Sequence, residues 1–588
     1  MKFFEADLGV AALLLLLPSA LAYPKGGHRT SSALPVVDLG YQVHQAAAYD
    51  ETTQLYNFSN IRFAQPPVGE LRWAEPQPPK GRNPIVTTGE SIEPICPQAN
   101  PLWYIVAGGF LGAHANGNAS AFNLTAAKEA EYAALASVLN TTYTPDPKQR
   151  EDCLFLDVIV PAKVFNATRA KKTWGSWGPF GPWGGDGGRK ASGGAPVLVW
   201  IYGGGYVGGW KRAAGNPTGL LNTNNNDFIF VAMNYRLGAL GFMAGTILEE
   251  SGGVPNAAFY DQRLAIEWVS KYIHLFGGDK NQITIMGESA GGGSVLHQIT
   301  AFGGKRPVKF QRAIAQSPAW EQQPLTVIPD SVASNYLKLL NVSSFAEART
   351  LNSSAVILAQ TIQVAGSLYG RYHYGPAVDG PGGFAPKLPG QLLAEGNFAH
   401  DIAILSGHNT NEAPFFTPPE AVTTGDVAPF VQLVFPFLPA STINYISEEI
   451  YPPIYNGTYP WTDNLTRVET MISDSAFTCN NHYLNTAFGN KTWAYEFQVP
   501  PAFHGFDIPY TFWDGHSNYT AFSPEVARVL QGYIANFVKT GNPNSPSLPV
   551  FPQQGQNASM NGLNVSFIGP QRDPTANQRC VYWQHAFD

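Results

Sequence analysis

The sequence predicts an α/β fold in which a central, mostly parallel β-sheet is flanked by helices. Short apolar runs rich in β-branched residues recur along the chain, and a helix with one apolar face lies between two of them. The runs do not alternate between polar and apolar residues, which is typical of strands buried on both faces of a parallel sheet. Strands that alternate with helices indicate the α/β class.

Several strands and one helix follow directly from the apolar patterns. The helix is predicted over Asp261–Phe276, where Leu264, Trp268 and Tyr272 share one face, and the glycine pair beginning at Gly277 ends it. The strands are predicted at the following runs: Leu154–Val160, Pro196–Ile201, Phe228–Met233, Ile283–Met286 and Ile402–Leu405.

Two long segments are predicted to be insertions on this fold. Residues 96–153 exceed the length of one ordinary connection and include the apolar, glycine-rich patch Ile105–Ala113. Trp174–Pro196 is rich in Gly, Pro and Trp without periodicity, which predicts an exposed, mobile surface loop. No linker divides residues 23–588, so we expect them to form one domain.

The N-terminal residues are typical of a secretory signal peptide. Lys2 precedes the apolar run Val10–Leu17, and the small residues of Ser19–Ala22 supply a cleavage pattern. We therefore expect residues 1–22 to be removed. The apolar run is too short to cross a bilayer, which needs about 20 residues.

Composition and cysteine count agree with an extracellular protein. The net charge of −7 comes without any cluster of Lys and Arg, which argues against a nucleic-acid partner. The four cysteines form an even number, which predicts two disulfides in an oxidising compartment. Frequent Asn-x-Ser/Thr sequons predict a glycoprotein, with asparagines at 57, 118, 123, 140, 166, 341, 352, 456, 464, 490, 518, 557 and 564.

The clearest motif is Gly287-Glu288-Ser289-Ala290-Gly291, which follows a predicted strand and precedes a glycine-rich helix start. In this G-x-S-x-G turn the serine lies on a strained backbone that projects its hydroxyl from the sheet. Side chains at Gly287 and Gly291 would clash in so tight a turn. The motif predicts that Ser289 is the nucleophile of an α/β-hydrolase.

A second glycine motif, Tyr202-Gly203-Gly204-Gly205, follows the strand predicted at Pro196–Ile201. Because glycine has no side chain, backbone N–H groups in such a turn are accessible to a ligand. An oxyanion hole requires accessible N–H groups of this kind. We therefore expect the N–H groups of Gly204, Gly205 and Ala290 to hold the oxyanion of a tetrahedral intermediate.

The nucleophile needs a base and an orienting carboxylate, which in this fold follow it in the order acid, then histidine. Among the 12 histidines, His504 lies in a loop before an aromatic run and is the preferred base. His516, in a polar turn, is the alternative. His297 would lie on the helix after the G-x-S-x-G turn and would point away from Ser289. Glu412 follows the strand predicted at Ile402–Leu405 and is the preferred acid.

Together these motifs resemble the type-B carboxylesterase/lipase family, which also contains the cholinesterases. The resemblance covers most of the chain, and its matches occur in order. The matching segments are Phe63–Pro67, Glu151–Leu154, Trp200–Gly205, Asn234–Gly238, Phe276–Asp279, Gly287–Gly291, Ala377–Gly380, Gly407–Glu412, His504-Gly505 and Arg579–Trp583.

The resemblance implies that Ser289, Glu412 and His504 form a catalytic triad and that the three amides named above form the oxyanion hole. It also implies the disulfides Cys96–Cys153 and Cys479–Cys580. The implied reaction is ester hydrolysis through an acyl-enzyme, which needs no cofactor, and the chain shows no metal-ligand spacing such as H-E-x-x-H.

The chain departs from the family pattern in two places. The family often has Asp-Glu-Gly at the acid, whereas Asn411–Pro414 keeps the carboxylate but changes the loop around it. The segment between Cys96 and Cys153 is longer than usual, and either a mobile lid or a packed cap is compatible with it. The resemblance also places Glu288 and Ser317 beside the triad.

Three functions are weighed at this point: a general esterase, a lipase with a mobile lid, and a non-catalytic binding or adhesion protein. The intact serine, acid and histidine favour an enzyme, because fold alone does not determine function and non-catalytic relatives typically lack one of the three. The expected substrates are small-molecule or lipid esters. A lipid substrate would bring the protein into transient contact with a lipid interface.

Overall fold

The computed structural model describes residues 34–89, 93–140, 146–174, 193–319, 327–517, 522–555 and 557–587. The predicted signal peptide, residues 1–22, lies outside this range, as does most of the predicted loop Trp174–Pro196. Among the helices in the described ranges, none combines the length and apolarity needed to cross a bilayer.

The described strands form one large and one small sheet. In chain order they are β1 (Val36–Asp38), β2 (Gln42–Gln45), β3 (Ala48–Asp50), β4 (Leu55–Arg62), β5 (Asn83–Thr87), β6 (Phe155–Pro161), β7 (Ala195–Ile201), β8 (Ile229–Met233), β9 (Gly278–Glu288), β10 (Arg312–Gln316), β11 (Ala403–Asn409), β12 (Trp493–Phe497), β13 (Ser559–Leu563) and β14 (Ile568–Arg572).

The large sheet has the order β14-β13-β12-β11-β10-β9-β7-β8-β6-β4-β3, and β1, β2 and β5 form the small one. All neighbouring strands from β8 to β13 are parallel. Antiparallel pairs lie at both edges of the large sheet. The parallel strands therefore present their carboxyl ends along one common edge, where ligands bind in open α/β sheets.

The strands predicted from apolar runs are all present in the large sheet. Every residue of β6 and β8 is buried, which confirms that these strands are covered on both faces. β9 and β11 extend beyond their apolar runs because pairing with neighbouring strands continues through polar residues. The predicted helix begins earlier, at Ala257, and its last residues, Ile273–Phe276, form a separate 3₁₀ turn.

Some of the described α-helices pack against the large sheet, among them Ala257–Tyr272, Ala290–Thr300 and Pro524–Thr540. In chain order, the described α-helices are Trp103–Ala115, Leu124–Asn140, Ala162–Trp174, Thr218–Asn222, Gly238–Phe242, Thr246–Glu250, Ala257–Tyr272, Ala290–Thr300, Val327–Leu340, Phe345–Thr350, Ser353–Ala365, Pro389–Ala394, Ala428–Val434, Ala440–Tyr445, Asn464–Ser473, Cys479–Ala487, Ile508–Thr511, Pro524–Thr540 and Gln578–His585.

The apolar patch Ile105–Ala113 lies in the helix Trp103–Ala115, which we call the cap helix. The cap helix buries most of its apolar side chains, and only Ile105 is substantially exposed. Its Trp103 ring packs against Phe415 at a centroid distance of 5.2 Å, and Trp103 Nε1 donates to the carbonyl of Arg371 at 2.8 Å. Most apolar side chains of the patch are therefore buried against the rest of the protein. This burial favours the packed cap over the mobile lid.

Two disulfides, Cys96–Cys153 and Cys479–Cys580, are present with Cα atoms 5.0 Å apart in each, and they are the pairs that the family resemblance implies. The first closes the segment that carries the cap helix. The second joins the helices Cys479–Ala487 and Gln578–His585.

Replacing both cysteines of either disulfide by serine is expected to lower the free energy of unfolding by about 4–5 kcal/mol. The two losses should be similar, because loop-closure entropy grows only slowly with separations of 57 and 101 residues. Urea unfolding followed by tryptophan fluorescence measures both. An unchanged denaturation midpoint in either double variant would contradict the expectation.

Candidate active site

The sequence motifs meet at the edge of the large sheet where the parallel strands end. Gly204 and Gly205 follow β7, Ser289 follows β9, Glu412 follows β11 and His504 follows β12. Together with β10, these strands are consecutive and parallel in the sheet. Residues far apart in sequence therefore converge at one place.

Ser289 lies on a tight turn between β9 and the helix Ala290–Thr300. Its φ of 58° and ψ of −124° are a conformation that residues with side chains rarely adopt. A Cβ at Gly287 would overlap the backbone of Gly291, and a Cβ at Gly291 would overlap the carbonyl of Ile201 on β7. The close approach of these backbones therefore requires both glycines of the motif.

A chain of hydrogen bonds links Ser289, His504 and Glu412. His504 Nε2 lies 2.8 Å from Ser289 Oγ, and His504 Nδ1 lies 2.5 Å from Glu412 Oε2. A carboxylate facing Nδ1 favours the tautomer with the proton on that nitrogen, which leaves Nε2 free to accept from the serine hydroxyl. The arrangement allows the imidazole to remove the hydroxyl proton.

Glu412 has no exposed surface, and both of its oxygens accept hydrogen bonds. Oε1 accepts from Ser317 Oγ at 2.7 Å and from the backbone N–H of Asn409 at 2.5 Å. Burial alone would raise the pKa of Glu412, but the charge of His504 and these donors hold that pKa below its ordinary value. The side chain is therefore ionised at neutral pH.

His504 lies in an environment that accepts positive charge. Burial disfavours the imidazolium, yet the Glu412 carboxylate raises the pKa of His504 above its ordinary value. The rings of Phe477 and Phe416 pack around the imidazole at centroid distances of 4.6 and 5.3 Å. Aromatic rings at this distance also attract a cation when it faces them.

Glu288, beside Ser289 in the sequence, places Oε1 3.6 Å from His504 Nε2. That oxygen is buried and makes no hydrogen bond within the described part of the chain. Burial raises the pKa of Glu288 to about 8. At neutral pH its carboxyl is therefore mostly protonated, so it adds little negative charge next to the imidazole.

Gly204, Gly205 and Ala290, which were expected to stabilise an oxyanion, lie next to Ser289. Gly205, Ser289 and Ala290 line one cavity, and Gly204 has a φ of 119° that favours glycine. No hydrogen bond from the N–H of Gly204 or Gly205 to a protein acceptor occurs in the described ranges. The N–H of Ala290 belongs to the first turn of a helix, where no intrahelical partner exists.

The cavity beside Ser289 has a volume of about 100 Å³ and is lined mainly by apolar side chains. Its lining residues are Gly205, Tyr206, Ser289, Ala290, Ala319, Tyr369, Gly370, Arg371, Tyr372, Phe416, Pro418, Phe430, Leu433, Val434, Phe435, Ile472, Ser475, Ala476 and Phe477.

The other histidines considered from the sequence do not join this arrangement. His516 is exposed in a loop, where its backbone N–H donates to the carboxylate of Asp514. His297 is buried in the helix after Ser289, and its ring stacks on Phe259 at 4.5 Å.

The sequence reasoning did not identify Asn409, Phe416 or Phe477 as part of the site. Asn409 lies within the family segment Gly407–Glu412, where a polar residue at a strand end was the available signal. The two phenylalanines lie outside the sequence motifs. The sequence alone therefore does not indicate which aromatic rings contact the imidazole.

The described residues contain one group of potential metal ligands, formed by Asp474, Cys479 and Cys580. Both of its cysteines belong to a disulfide, so they offer no thiolate to a metal ion.

Comparison with known proteins agrees with this architecture. Residues 43–583 match the model of the carboxylesterase family. Carboxylesterase patB of Penicillium expansum is 38% identical over 94% of this chain and 96% of its own length. A secreted lipase of Arthroderma benhamiae is 30% identical over 67% of this chain and 72% of its own length.

The solved structure of EstA from Aspergillus niger aligns with a TM-score of 0.74, covering 95% of this chain and 99% of EstA at 24% identity. This likeness concerns the fold, which is that of the α/β-hydrolases. With the family match and the relatives at 38% and 30% identity, it shows that the chain belongs to the carboxylesterase family and is a carboxylesterase.

Proposed function

We propose that the protein hydrolyses carboxylic esters by acyl transfer to Ser289, with His504 as the base and Glu412 as the carboxylate that orients it. The observation that carries this proposal is the unbroken hydrogen-bond chain from Glu412 through His504 to Ser289. The strained turn at Ser289 supports the same assignment, because backbone strain of this kind clusters at active sites.

In the first half of the reaction, Ser289 Oγ attacks the ester carbonyl carbon while its proton moves to His504 Nε2. The Glu412 carboxylate stabilises the imidazolium that forms. The negative charge on the former carbonyl oxygen is received by the N–H groups of Gly204, Gly205 and Ala290. A single donor of this kind contributes about 3–4 kcal/mol to the transition state.

In the second half, the C–O bond to the alcohol breaks, and His504 Nε2 gives its proton to the departing oxygen. The acyl group stays bonded to Ser289 Oγ. Water then attacks the acyl carbon and loses a proton to His504. The collapse of the second tetrahedral intermediate returns that proton to Ser289 and releases the carboxylic acid.

We also propose that the protein is secreted as a glycoprotein. The apolar run and cleavage pattern of residues 1–22 support this, and all four cysteines are paired in disulfides. Asn456 is exposed, and its side-chain oxygen accepts from the hydroxyl of Thr458 at 2.7 Å, so this sequon lies in an accessible turn. Asn464, in contrast, donates its amide to the chain's own carbonyls.

Ser289→Ala is expected to lower kcat for p-nitrophenyl butyrate by about 10⁴-fold or more, because the nucleophile is lost. Circular dichroism should show an unchanged fold. Ser251→Ala, which removes a partly buried hydroxyl just after the helix Thr246–Glu250, is the matched control and should keep full turnover. Full turnover in the Ser289 variant would refute the assignment.

The pH profile of kcat/KM should report the titration of His504, which must be neutral to act as the base. Because its pKa is raised, the acid limb should have its midpoint above pH 6.5, and activity should be lost as the pH falls through it. Rates measured from pH 5 to 9 in a constant-ionic-strength buffer test this.

Glu412→Gln supplies the matched comparison for the pH profile. Removing the carboxylate should move the acid limb to lower pH and reduce kcat by about 10³–10⁴-fold. A profile that stays flat from pH 5 to 8 in the wild type, or a limb that does not move in the variant, would count against this role of Glu412.

We further expect an esterase without interfacial activation, because most of the apolar side chains of the cap helix are already buried against the protein. Rates on tributyrin should follow a smooth saturation curve across its solubility limit. A lid-bearing lipase measured in parallel is the positive control. A severalfold rise above the solubility limit would instead favour the lipase.

A further inference from the structure

Two tyrosines leave neighbouring strands side by side, next to the glycine turn that begins at Gly203. Tyr202 follows β7, and Tyr235 is the second residue after β8. Because β7 and β8 pair in parallel, both tyrosines lie at the carboxyl edge of the sheet. Their rings stack with centroids 4.3 Å apart and an angle of 16° between the ring planes, and neither residue is more than 1% exposed. The pair therefore belongs to the buried core beside the turn.

Each of the two hydroxyls binds the backbone of the other tyrosine. Tyr235 OH donates to the carbonyl of Tyr202 at 2.6 Å, and Tyr202 OH donates to the carbonyl of Tyr235 at 3.1 Å. The Tyr202 carbonyl belongs to the same planar peptide unit as the N–H of Gly203, so a bond to this oxygen also orients the start of the glycine turn. Burial raises the pKa of both phenols, and both hydroxyls therefore stay protonated donors at every pH of interest.

The peptide unit that Tyr235 orients lies against the turn of the nucleophile. A Cβ at Gly203 would lie only 2.9 Å from the Cβ of Ser289. The carbonyl oxygen of Tyr202 would lie 2.8 Å from a Cβ at Gly291. A change in the tilt of this peptide therefore changes how the N–H groups that follow it are placed relative to Ser289.

Tyr235 itself is anchored by its two neighbours in the chain. Asn234 Nδ2 donates to the carbonyl of Cys153 at 3.1 Å. The guanidinium of Arg236 is buried and donates to both carboxylate oxygens of Asp261, at 2.7 and 2.8 Å. The backbone on both sides of Tyr235 is therefore fixed, which gives its hydroxyl a defined position.

The far end of the glycine turn is held by contacts that do not involve Tyr235. The carbonyl of Gly204 accepts from the N–H of Gly208 at 3.0 Å. The N–H of Gly209 donates to Gln98 Oε1 at 2.8 Å. Loss of the Tyr235 hydroxyl would therefore tilt the beginning of the turn without unfolding the whole turn.

We propose that Tyr235 is a positioning residue for the oxyanion hole, and that its bond to the Tyr202 carbonyl aligns the N–H groups of Gly204 and Gly205 with the oxyanion. The proposal rests on the proposed roles of Ser289 and of these amides. Tyr235 is fully buried and does not line the cavity beside Ser289, so it acts through the peptide that follows Tyr202. The carbonyl oxygen becomes negative only after attack, and alignment therefore matters more for the transition state than for the bound ester.

Tyr235→Phe removes the hydroxyl and keeps the stacked ring. On p-nitrophenyl butyrate we expect kcat to fall about tenfold, less than the roughly 10²–10³-fold lost when an oxyanion donor itself is removed. KM should change by less than about twofold, because the ground state gains little from the hole. Expressing kcat per active site, counted by complete titration with a phosphonate inhibitor, removes any effect of partial unfolding. An unchanged kcat would overturn the proposal.

Two inhibitors separate alignment of the hole from a merely structural role. A trifluoromethyl ketone forms an adduct with Ser289 that carries an oxyanion, whereas the corresponding alcohol cannot be attacked. In Tyr235→Phe we expect the Ki of the ketone to rise about tenfold, in step with the loss of kcat, and the Ki of the alcohol to stay the same. Equal changes for both inhibitors, or no change for the ketone, would contradict the assigned role.

Tyr336→Phe is the matched control for the loss of a buried hydroxyl. Tyr336 OH donates to the carbonyl of Val356 at 2.9 Å, and Tyr336 does not line the cavity. This variant should lose stability as Tyr235→Phe does but keep its kcat. Tyr202→Phe keeps the bond from Tyr235 to the carbonyl and should retain most of kcat. If either variant lost as much kcat as Tyr235→Phe, general loosening would explain the effect and the proposal would fail.

The pH profile distinguishes an effect on the oxyanion hole from an effect on the base. Tyr235→Phe should lower the plateau of kcat/KM and leave the midpoint of the His504 limb in place. A shifted midpoint would show that Tyr235 acts through His504 and would overturn the proposal. Ser289→Ala keeps the two proposals apart. Full activity in that variant refutes the nucleophile, whereas an inactive Ser289 variant together with unchanged kcat and ketone Ki in Tyr235→Phe refutes only the positioning role.

Discussion

The buried charge of Glu412 is the constraint on which the geometry of the site depends. A carboxylate without exposed surface is unfavourable unless its oxygens are hydrogen-bonded. One oxygen meets His504, and the other accepts from Ser317 and Asn409. These partners lie at the end of β10, at the end of β11 and in the loop after β12. Satisfying one charge therefore fixes three neighbouring strand ends relative to one another.

The strained turn at Ser289 is held by the same part of the sheet. The N–H of Ser289 donates to the carbonyl of Gln316 at 3.1 Å, and Gln316 directly precedes Ser317 on the chain. Gln316 also donates its side-chain amide to Tyr495 OH at 2.8 Å and to Asp507. The surroundings thus over-determine the turn, which is the condition under which backbone strain persists in a folded protein.

A feature of the site could be predicted from the sequence when it depends on contacts between residues that are close together in the chain. The glycines around Ser289 are demanded by contacts between adjacent backbones, so a five-residue motif is enough to identify them. Glu412 was chosen because it follows a predicted strand, and parallel strands end at one edge of a sheet. β12, which precedes His504, was not predicted, so the choice of His504 over His516 depended on the family resemblance. The predicted α/β class and its strands, which depend on local apolar runs, were confirmed.

Other features depend on contacts that no motif encodes. Asn409 and Phe477 reach the triad only because β11 and the segment before Cys479 lie beside it in space. The choice between a lid and a packed cap depended on which residues meet Trp103. The cavity wall at Phe435 depends on contacts with Trp583 and Phe587, more than a hundred residues later in the sequence.

The support of Phe435 by the last helix has a consequence for biosynthesis. Ribosomes make the chain from its amino end, so Trp583 and Phe587 emerge more than a hundred residues after Phe435. The catalytic strands can pair before then, but Phe435 gains these two aromatic contacts only after Trp583 and Phe587 have emerged, and Cys479 can be oxidised with Cys580 only at that stage. A chain made only as far as the histidine therefore lacks the aromatic support of one cavity wall, even with its serine, histidine and glutamate already in place.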